Sequence, residues 1–172
     1  MAKGYEAIYH QTLTGTASSL RFNNIPQGYT DLLLKVSPRG NRAAPNIEDM
    51  YVTFNDDTAS NYSFGELYGD GASMAFTRLT SQTSGRFLYG NTASCTAGSF
   101  GICDMYIPNY SSGTVFKSFN ADSFSESNDV TTYQINISGL WRNLAPITSI
   151  KIDPTTTPFQ IGTSLSLYGI TK

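Results

Sequence analysis

A chain of 172 residues is long enough for one domain that buries about two-thirds of its unfolded surface. Its formal net charge is −2, and its eleven Lys and Arg residues are scattered singly, which argues against nucleic acid as a partner. No segment approaches the roughly 20 apolar residues of a membrane span, and MAKGYEAIYHQ lacks the apolar core of a signal peptide. The sequence therefore predicts a soluble protein with no membrane partner and no export signal of its own.

Strands are predicted along the whole chain, because short apolar or alternating runs recur between clusters of Gly, Pro, Asn, Asp and Ser. The first half gives residues 5–13, 20–22, 32–36 and 50–54, with PRGNRAAP (38–45) as a loop. The pattern weakens between 62 and 98, where short pieces at 64–68, 74–77 and 86–89 predict hairpins or long surface loops. Better-defined strands follow at 100–107, 115–119, 133–138, 147–152 and 164–170.

About ten short strands with closely spaced turns favour a sandwich or a barrel. We predict an all-β fold, a jelly-roll-like antiparallel β-sandwich. No internal repeat or low-complexity tail divides the chain. It is therefore expected to form a single domain over residues 1–172, with a short N-terminal arm possible at residues 1–4.

The polar composition is dominated by uncharged groups: Ser and Thr number 40 and Asn adds 12. Such a surface suits a β-protein packed among neighbours, because few charges need to be desolvated on contact. It would equally suit a sugar-binding face. Cys95 and Cys103 are too few for a disulfide scaffold or a four-thiolate zinc site, so reduced, partly buried thiols are expected, with a disulfide as the alternative.

Catalytic motifs are not found in the sequence. His10 is the single histidine and stands in the first predicted strand with no nucleophile motif beside it. The glycines of the middle third do not form a phosphate-binding loop and are interpreted as turn residues: Gly65, Gly69 and Gly71. The glutamates that could pair for glycoside hydrolysis each stand alone: Glu6, Glu48, Glu66 and Glu126. We therefore expect a non-enzymatic protein without a cofactor, and no residue is assigned to a catalytic, cofactor or metal site.

The stretch FNDDTASNYS (54–63) is the one place where hard-cation ligands cluster. Asp56, Asp57 and Asn61, with Asp49 nearby, could offer oxygens to calcium. Their spacing does not match an EF-hand loop. The favoured interpretation is a turn in which Asx side chains bond nearby backbone N–H groups.

Aromatic residues make up 13% of the chain. Beside Asn and Ser, several tyrosines could form a sugar platform or could equally be strand and interface residues: Tyr51, Tyr62, Tyr68, Tyr89 and Tyr110. Trp141, followed by Arg142, is interpreted as core or sheet-edge packing.

A resemblance spans nearly the whole chain. It is carried by LTGTASSLRFNNIPQGYTDLLLKV, FNDDTASNYS, IPNYSSGTVFKSF, LWRNLAPITSIKI and the distinctive finish SLSLYGI. Together these segments resemble small β-rich structural proteins of bacteriophage virions, of the kind often encoded by tailed phages of cyanobacteria. In the family's usual form we expect FNGDT, so Asp56 stands where glycine would ease the turn.

The resemblance implies a jelly-roll-like sandwich displayed as an oligomer, commonly a homotrimer, on the capsid surface after synthesis in the host cytoplasm. Its implied role is that of a decoration or cement protein that binds the major capsid protein and stabilises the head. Similar proteins also serve as head fibres or tail parts. The alternative hypothesis is therefore a fibre or adsorption protein whose sandwich binds a host-surface glycan. A third, a glycan-degrading enzyme, rests on fold analogy alone.

Overall fold

The computed structural model of the protein describes residues 4–128 and 132–171, and within these ranges its regular structure is all β. Turn residues separate the strands, and no described helix is long and apolar enough to cross a membrane. The described strands are β1 (Gly4–Thr12), β2 (Leu20–Phe22), β3 (Asp31–Ser37), β4 (Ile47–Phe54), β5 (Tyr62–Gly69), β6 (Met74–Gln82), β7 (Gly85–Asn91), β8 (Ile102–Pro108), β9 (Lys117–Ser125), β10 (Tyr133–Trp141), β11 (Ile150–Pro154) and β12 (Ser164–Thr171).

Two antiparallel sheets face each other across the core. The large sheet has eight strands in the order β1-β12-β3-β8-β9-β10-β5-β6, and the small sheet has four in the order β2-β11-β4-β7. From β2 onward the chain repeatedly crosses from one sheet to the other, which is the winding of a jelly roll. The predicted antiparallel β-sandwich is confirmed.

The core lies between the sheets because alternate side chains of each strand point inward. In β4, Met50, Val52 and Phe54 are fully buried, and in β12 Leu165 and Leu167 face the core while their neighbours face outward. The Phe119 ring occupies the space that a side chain at position 139 would need. The absence of a side chain at Gly139 of β10 therefore leaves room for this ring.

Of the two alternatives for the middle third, the structure shows a hairpin and not long surface loops: β5 pairs with β6, β6 continues to Gln82, and β7 follows. Two other sequence expectations need correction. Strand β9 begins at Lys117 and continues to Ser125, whereas Val115 lies ahead of it and is exposed. Gly4 already pairs with Thr171 in β1, so it is not part of an arm; residues 1–3 lie outside the described ranges.

The two sheets remain open, and the large sheet ends in β1 on one side and β6 on the other. Both edge strands are nine residues long and mostly exposed. Within the described ranges, no further strand covers the outer face of the large sheet. An uncovered face between two long edge strands is a surface to which a partner can bind.

Candidate functional site

The FNDDTASNYS stretch connects β4 of the small sheet to β5 of the large one. Asn55 and Asp56 have positive φ values of 54° and 55°, and the Asp57 N–H donates to the Phe54 carbonyl at 3.0 Å. Two central residues with φ > 0 are the signature of a type I′ turn, for which Asn, Asp and Gly are the preferred residues. Asp56 thus occupies a left-handed position that glycine would adopt with less strain.

The Asp57 carboxylate is surrounded by donors. Its Oδ2 accepts from the Trp141 indole Nε1 at 2.8 Å, from Asn61 Nδ2 at 2.9 Å and from Asn143 Nδ2 at 3.3 Å. Its Oδ1 accepts from the Ala59 N–H at 3.0 Å. Burial alone would raise the pKa of Asp57, but these hydrogen bonds outweigh it and lower the pKa. The carboxylate is therefore held ionised by the protein's own amides and indole.

Asn55 ties this turn to the segment between β10 and β11, which crosses between the sheets at the same end. Its Oδ1 accepts from the N–H groups of Thr148 and Ser149 at 2.8 and 3.1 Å, and its Nδ2 donates to the Pro146 carbonyl at 2.8 Å. The two segments that cross between the sheets therefore lie side by side and are joined by these hydrogen bonds.

Asp56 points the other way, toward solvent. Arg21 of β2 reaches it with two hydrogen bonds, Nη1 to Oδ2 at 2.9 Å and Nη2 to Oδ1 at 2.5 Å. These bonds lower the pKa of the Asp56 carboxyl. Both adjacent carboxylates are therefore committed to partners within the chain.

The cation cluster that the sequence left as the less favoured alternative does not assemble around these carboxylates. Asp49, the third carboxylate considered, bonds to Arg86 instead, with its Oδ2 3.3 Å from Nη2. Within residues 4–128 and 132–171, no group of three or more His, Cys, Asp or Glu side chains is placed to hold a metal ion. The stretch acts as a structural connection between the sheets, which is the turn role favoured from sequence.

A buried charge cluster ties the two sheets together further along. Arg86 of β7 donates from Nη1 to both oxygens of Glu66 on β5 at 2.9 and 3.0 Å, and to the Tyr89 hydroxyl at 2.7 Å. Its Nη2 donates to the Tyr51 hydroxyl at 3.0 Å. Burial alone would lower the pKa of Arg86, but the Tyr51 hydrogen bond and the nearby carboxylates raise it. The sequence gives no sign of this pair, because its residues lie 20 positions apart on different sheets.

For three of the five tyrosines the structure contradicts the sugar-platform alternative that the sequence left open. Tyr62 and Tyr110 are fully buried and Tyr89 is 7% exposed, while Tyr51 and Tyr68 are half-buried. Each buried hydroxyl has a partner inside the chain: Tyr62 bonds the Phe54 backbone, Tyr110 bonds the Pro26 carbonyl and Tyr89 bonds Arg86. These three side chains pack in the core and bond other groups of the chain, so they are not positioned to contact a ligand.

The remaining sequence candidates also lie apart. His10 is exposed on β1 and its Nδ1 lies 2.8 Å from the Ser166 hydroxyl. Trp141 is fully buried, as expected for core packing. Cys95 and Cys103 are free thiols, and both are buried rather than partly buried. Gly71 takes a φ of 88°, consistent with the turn interpretation, whereas Gly65 and Gly69 lie within strand β5, so the turn interpretation is wrong for them.

The four glutamates have separate partners instead of pairing. Glu66 bonds Arg86 as described, and Glu48 is fully buried and accepts from the Thr156 N–H at 2.6 Å. Glu126 accepts from the Asn128 N–H at 2.7 Å, while Glu6 is exposed on the edge strand β1.

A shallow groove crosses the outer face of the large sheet near β1. It has a volume of about 460 Å³ and is lined by Tyr5, Leu33, Lys35, Asp104 and Tyr168. The Lys35 Nζ lies 2.6 Å from Asp104 Oδ2, and both side chains are close to half exposed. Aromatic rings beside an accessible donor and acceptor could contact a sugar. Sequence reasoning missed this groove because its residues come from four strands far apart in the chain.

The chain matches no model of a known protein family and no curated protein sequence.

Proposed function

We propose that the chain is a non-enzymatic structural protein of a phage virion, a decoration or cement subunit that binds the major capsid protein and stabilises the head. The observation that supports this proposal best is the uncovered outer face of the eight-stranded sheet, which is bounded by the edge strands β1 and β6. The sequence resemblance to small virion proteins adds support. Oligomer formation, with the trimer that the resemblance implies, is part of the proposal.

The distribution of charge supports this role. Two groups of bonded charged side chains lie inside the protein. Arg86 forms an ion pair with Glu66 between the sheets, and the Asp57 carboxylate accepts hydrogen bonds from four donors. Arg39 is 5% exposed and donates to the backbone carbonyls of Cys95 and Thr96, each at 3.0 Å. With such groups engaged inside, the outer face consists largely of Ser, Asn and apolar side chains that can be covered at a small desolvation cost.

Binding to heads that lack the protein tests this role. Purified chain is mixed with such heads, sedimented and quantified, and the heads are then heated with and without it. We expect saturable binding and a higher temperature of genome release. Heads that neither bind the chain nor gain thermal resistance would contradict the proposal.

The second candidate function is glycan binding by a fibre or adsorption part. The observation that favours it is the groove between Tyr5 and Tyr168, with the exposed Lys35–Asp104 ion pair at its base. Stacking of a sugar ring on an exposed tyrosine with hydrogen bonds to a charged pair is a workable geometry.

A glycan array with the wild-type chain and a Tyr5→Ala, Tyr168→Ala double variant tests this candidate. Tyr133→Ala, which changes a half-buried tyrosine outside the groove, is the matched control. Signals lost in the double variant and kept in the control would support glycan binding. An array without hits for the wild-type chain would remove it.

A further inference from the structure

Among the described strands, β1 is the one that the rest of the fold covers least. Eight of its nine residues are exposed, and only Ile8 is half-buried. Antiparallel pairing attaches one side of β1 to β12, and its other side has no strand partner within the described ranges. We call this side the open edge of β1. The backbone N–H and C=O groups along such an edge can pair with an additional strand.

A bulge in β1 places an aromatic ring on each face of the strand. The register with β12 passes from Ala7 directly to Tyr9 and leaves Ile8 as an extra residue. In a regular strand, residues four positions apart face the same way. Because of the bulge, Tyr5 lines the groove on the outer face of the large sheet, whereas Tyr9 lies opposite the fully buried Leu167 of the core.

Hollows flank β1 on both faces. On the outer face lies the groove of about 460 Å³ that contains Tyr5 and Tyr168, which we call the outer groove. On the inner face, between β1 and the small-sheet edge strand β2, lies a hollow of about 390 Å³, which we call the inner pocket. Its lining includes Tyr9, Phe22 and Ile25. The Tyr9 and Phe22 rings meet edge to face, with centroids 5.1 Å apart.

The two hollows are spaced like the side chains of an extended peptide. The β12 partners of Tyr5 and Tyr9 are Ile170 and Leu167, three positions apart, which corresponds to about 10 Å along a strand. In a strand added at the open edge, residues three positions apart point to opposite faces of the sheet. One such side chain reaches the outer groove and the other reaches the inner pocket. Backbone pairing at an edge, with pockets for alternate side chains, is the arrangement that binds peptides by β-augmentation.

Charged groups beside β1 favour a segment without acidic residues. The Lys35–Asp104 ion pair stands at the outer groove and the Arg21–Asp56 pair beside the inner pocket, so these four charges are already matched within the chain. Glu6 of β1 is exposed and adds a negative charge to the open edge. The segment that fits here therefore has bulky apolar side chains for the hollows and no net negative charge.

We propose that the open edge of β1 binds an extended, non-acidic segment of the major capsid protein, which adds to the large sheet as a further strand. One bulky apolar side chain of the segment fills the outer groove, and a second, three residues away, fills the inner pocket. The inference rests on the proposed decoration role and specifies the contact that attaches the chain to the head. The added strand extends the large sheet beside its outer face, and it leaves β6 and the small sheet available to other copies in a trimer.

Binding to heads that lack the protein, measured by sedimentation, tests both faces of the edge. Tyr5→Ala and Tyr9→Ala should each weaken binding about tenfold or more with an unchanged circular dichroism spectrum. Leu79→Ala is the matched control and should bind like the wild-type chain, because Leu79 is 39% exposed, as Tyr9 is, but lies on the other edge strand, β6.

The outcomes separate this contact from the decoration role. A wild-type chain that binds heads, together with a Tyr9→Ala variant that binds equally well, would overturn the strand contact and leave the decoration role standing. Loss in Tyr5→Ala alone would have the same meaning, because it indicates a ligand confined to the outer groove. A wild-type chain that does not bind heads would overturn both.

Photo-cross-linking on the head tests the extended geometry. A benzophenone amino acid in place of Tyr5, or in place of Tyr9, should link to the same segment of the major capsid protein, at sites about three residues apart. The same amino acid in place of Met74, which is 73% exposed on β6, should not link to that segment. Links from Tyr5 and Tyr9 to unrelated segments, or only to another copy of this chain, would overturn the proposal.

Discussion

The Asp57 carboxylate accepts a 2.8 Å hydrogen bond from the Trp141 indole, and this bond joins the two crossings between the sheets at one end of the sandwich. Asp57 follows the turn that leaves β4, and Trp141 is the last residue of β10. The Trp141 ring also packs against Phe54 and Tyr62, with ring centroids 5.6 and 6.4 Å away. A polar anchor and an aromatic cluster therefore stabilise the same junction.

Asp57 and Trp141 should be strongly coupled in their contributions to the free energy of unfolding, since a hydrogen bond to a charged group contributes about 1.5–3 kcal/mol. Asp57→Asn and Trp141→Phe should each reduce the free energy of unfolding, and the double variant should lose less than the sum of the two. Urea denaturation of the four proteins measures the coupling. Strictly additive losses would mean that the bond does not stabilise the fold.

The neighbouring carboxylates Asp56 and Asp57 should differ in how they set acid stability. Both have lowered pKa values in the folded state, so each stabilises the fold above the ordinary value of 3.8, and this contribution is lost as pH falls through the folded pKa. In Asp57→Asn, stability should depend less on pH on the acid side than it does in the wild-type chain, and this difference should persist in high salt. Asp56→Asn should have a smaller effect that salt removes, because its bond to Arg21 is exposed. Melting curves from pH 2 to 7 at low and high salt check this, and equal effects at both positions would contradict it.

The Arg86–Glu66 pair should show the asymmetry of a buried ion pair. Removing one partner, in Glu66→Leu or Arg86→Met, should cost about 3–5 kcal/mol because the other charge stays buried. The double variant should recover much of that loss. The exposed Lys35–Asp104 pair is the matched control, and its variants should change stability by about 0–1 kcal/mol. Similar losses at both pairs would show that the Arg86 site is not desolvated as its contacts indicate.

Calcium should leave the melting temperature unchanged, and a chelator should do the same. The oxygens that the sequence offers to a cation are already bonded, Asp57 by four donors and Asp56 by Arg21. A ligand that binds only the folded state raises stability in proportion to its occupancy. A calcium-dependent rise that Asp57→Asn abolishes would reopen the cation interpretation.

Strands with a clear apolar alternation could be predicted from sequence, as Met50, Val52 and Phe54 show. The second half of β9 could not, because Ser123 and Ser125 are buried small polar residues that offer no contrast with their exposed neighbours. Their hydroxyls bond the Tyr89 carbonyl and the Asn91 side chain of the facing sheet, and these are tertiary partners. For Tyr62, Tyr89 and Tyr110 the sequence left a sugar platform and a strand role open, because the burial of a tyrosine depends on what packs against its strand and not on its neighbours in the chain.

The segments that carry the resemblance meet at one end of the fold. FNDDTASNYS bonds LWRNLAPITSIKI through Asp57 and Asn55, and the Ile147 N–H donates to the Tyr110 carbonyl of IPNYSSGTVFKSF at 2.9 Å. In the closing SLSLYGI, Gly169 leaves room for the Tyr29 ring of the first segment. The motifs therefore explain how the two sheets are held together at this end, and they indicate the fold more directly than the function. Residues of the outer face were not recognisable in sequence because a sheet surface draws single residues from many strands.

The proposed decoration role is tested most directly by where the chain is found. On that proposal, a cryo-electron microscopy reconstruction of purified phage particles from the source of the gene should show this sandwich on the outside of the head, across joints between major capsid subunits. Particles without the gene should lack that density and release their genome at a lower temperature. Heads without the sandwich, with the protein in tail fibres or absent from the virion, would contradict the decoration role.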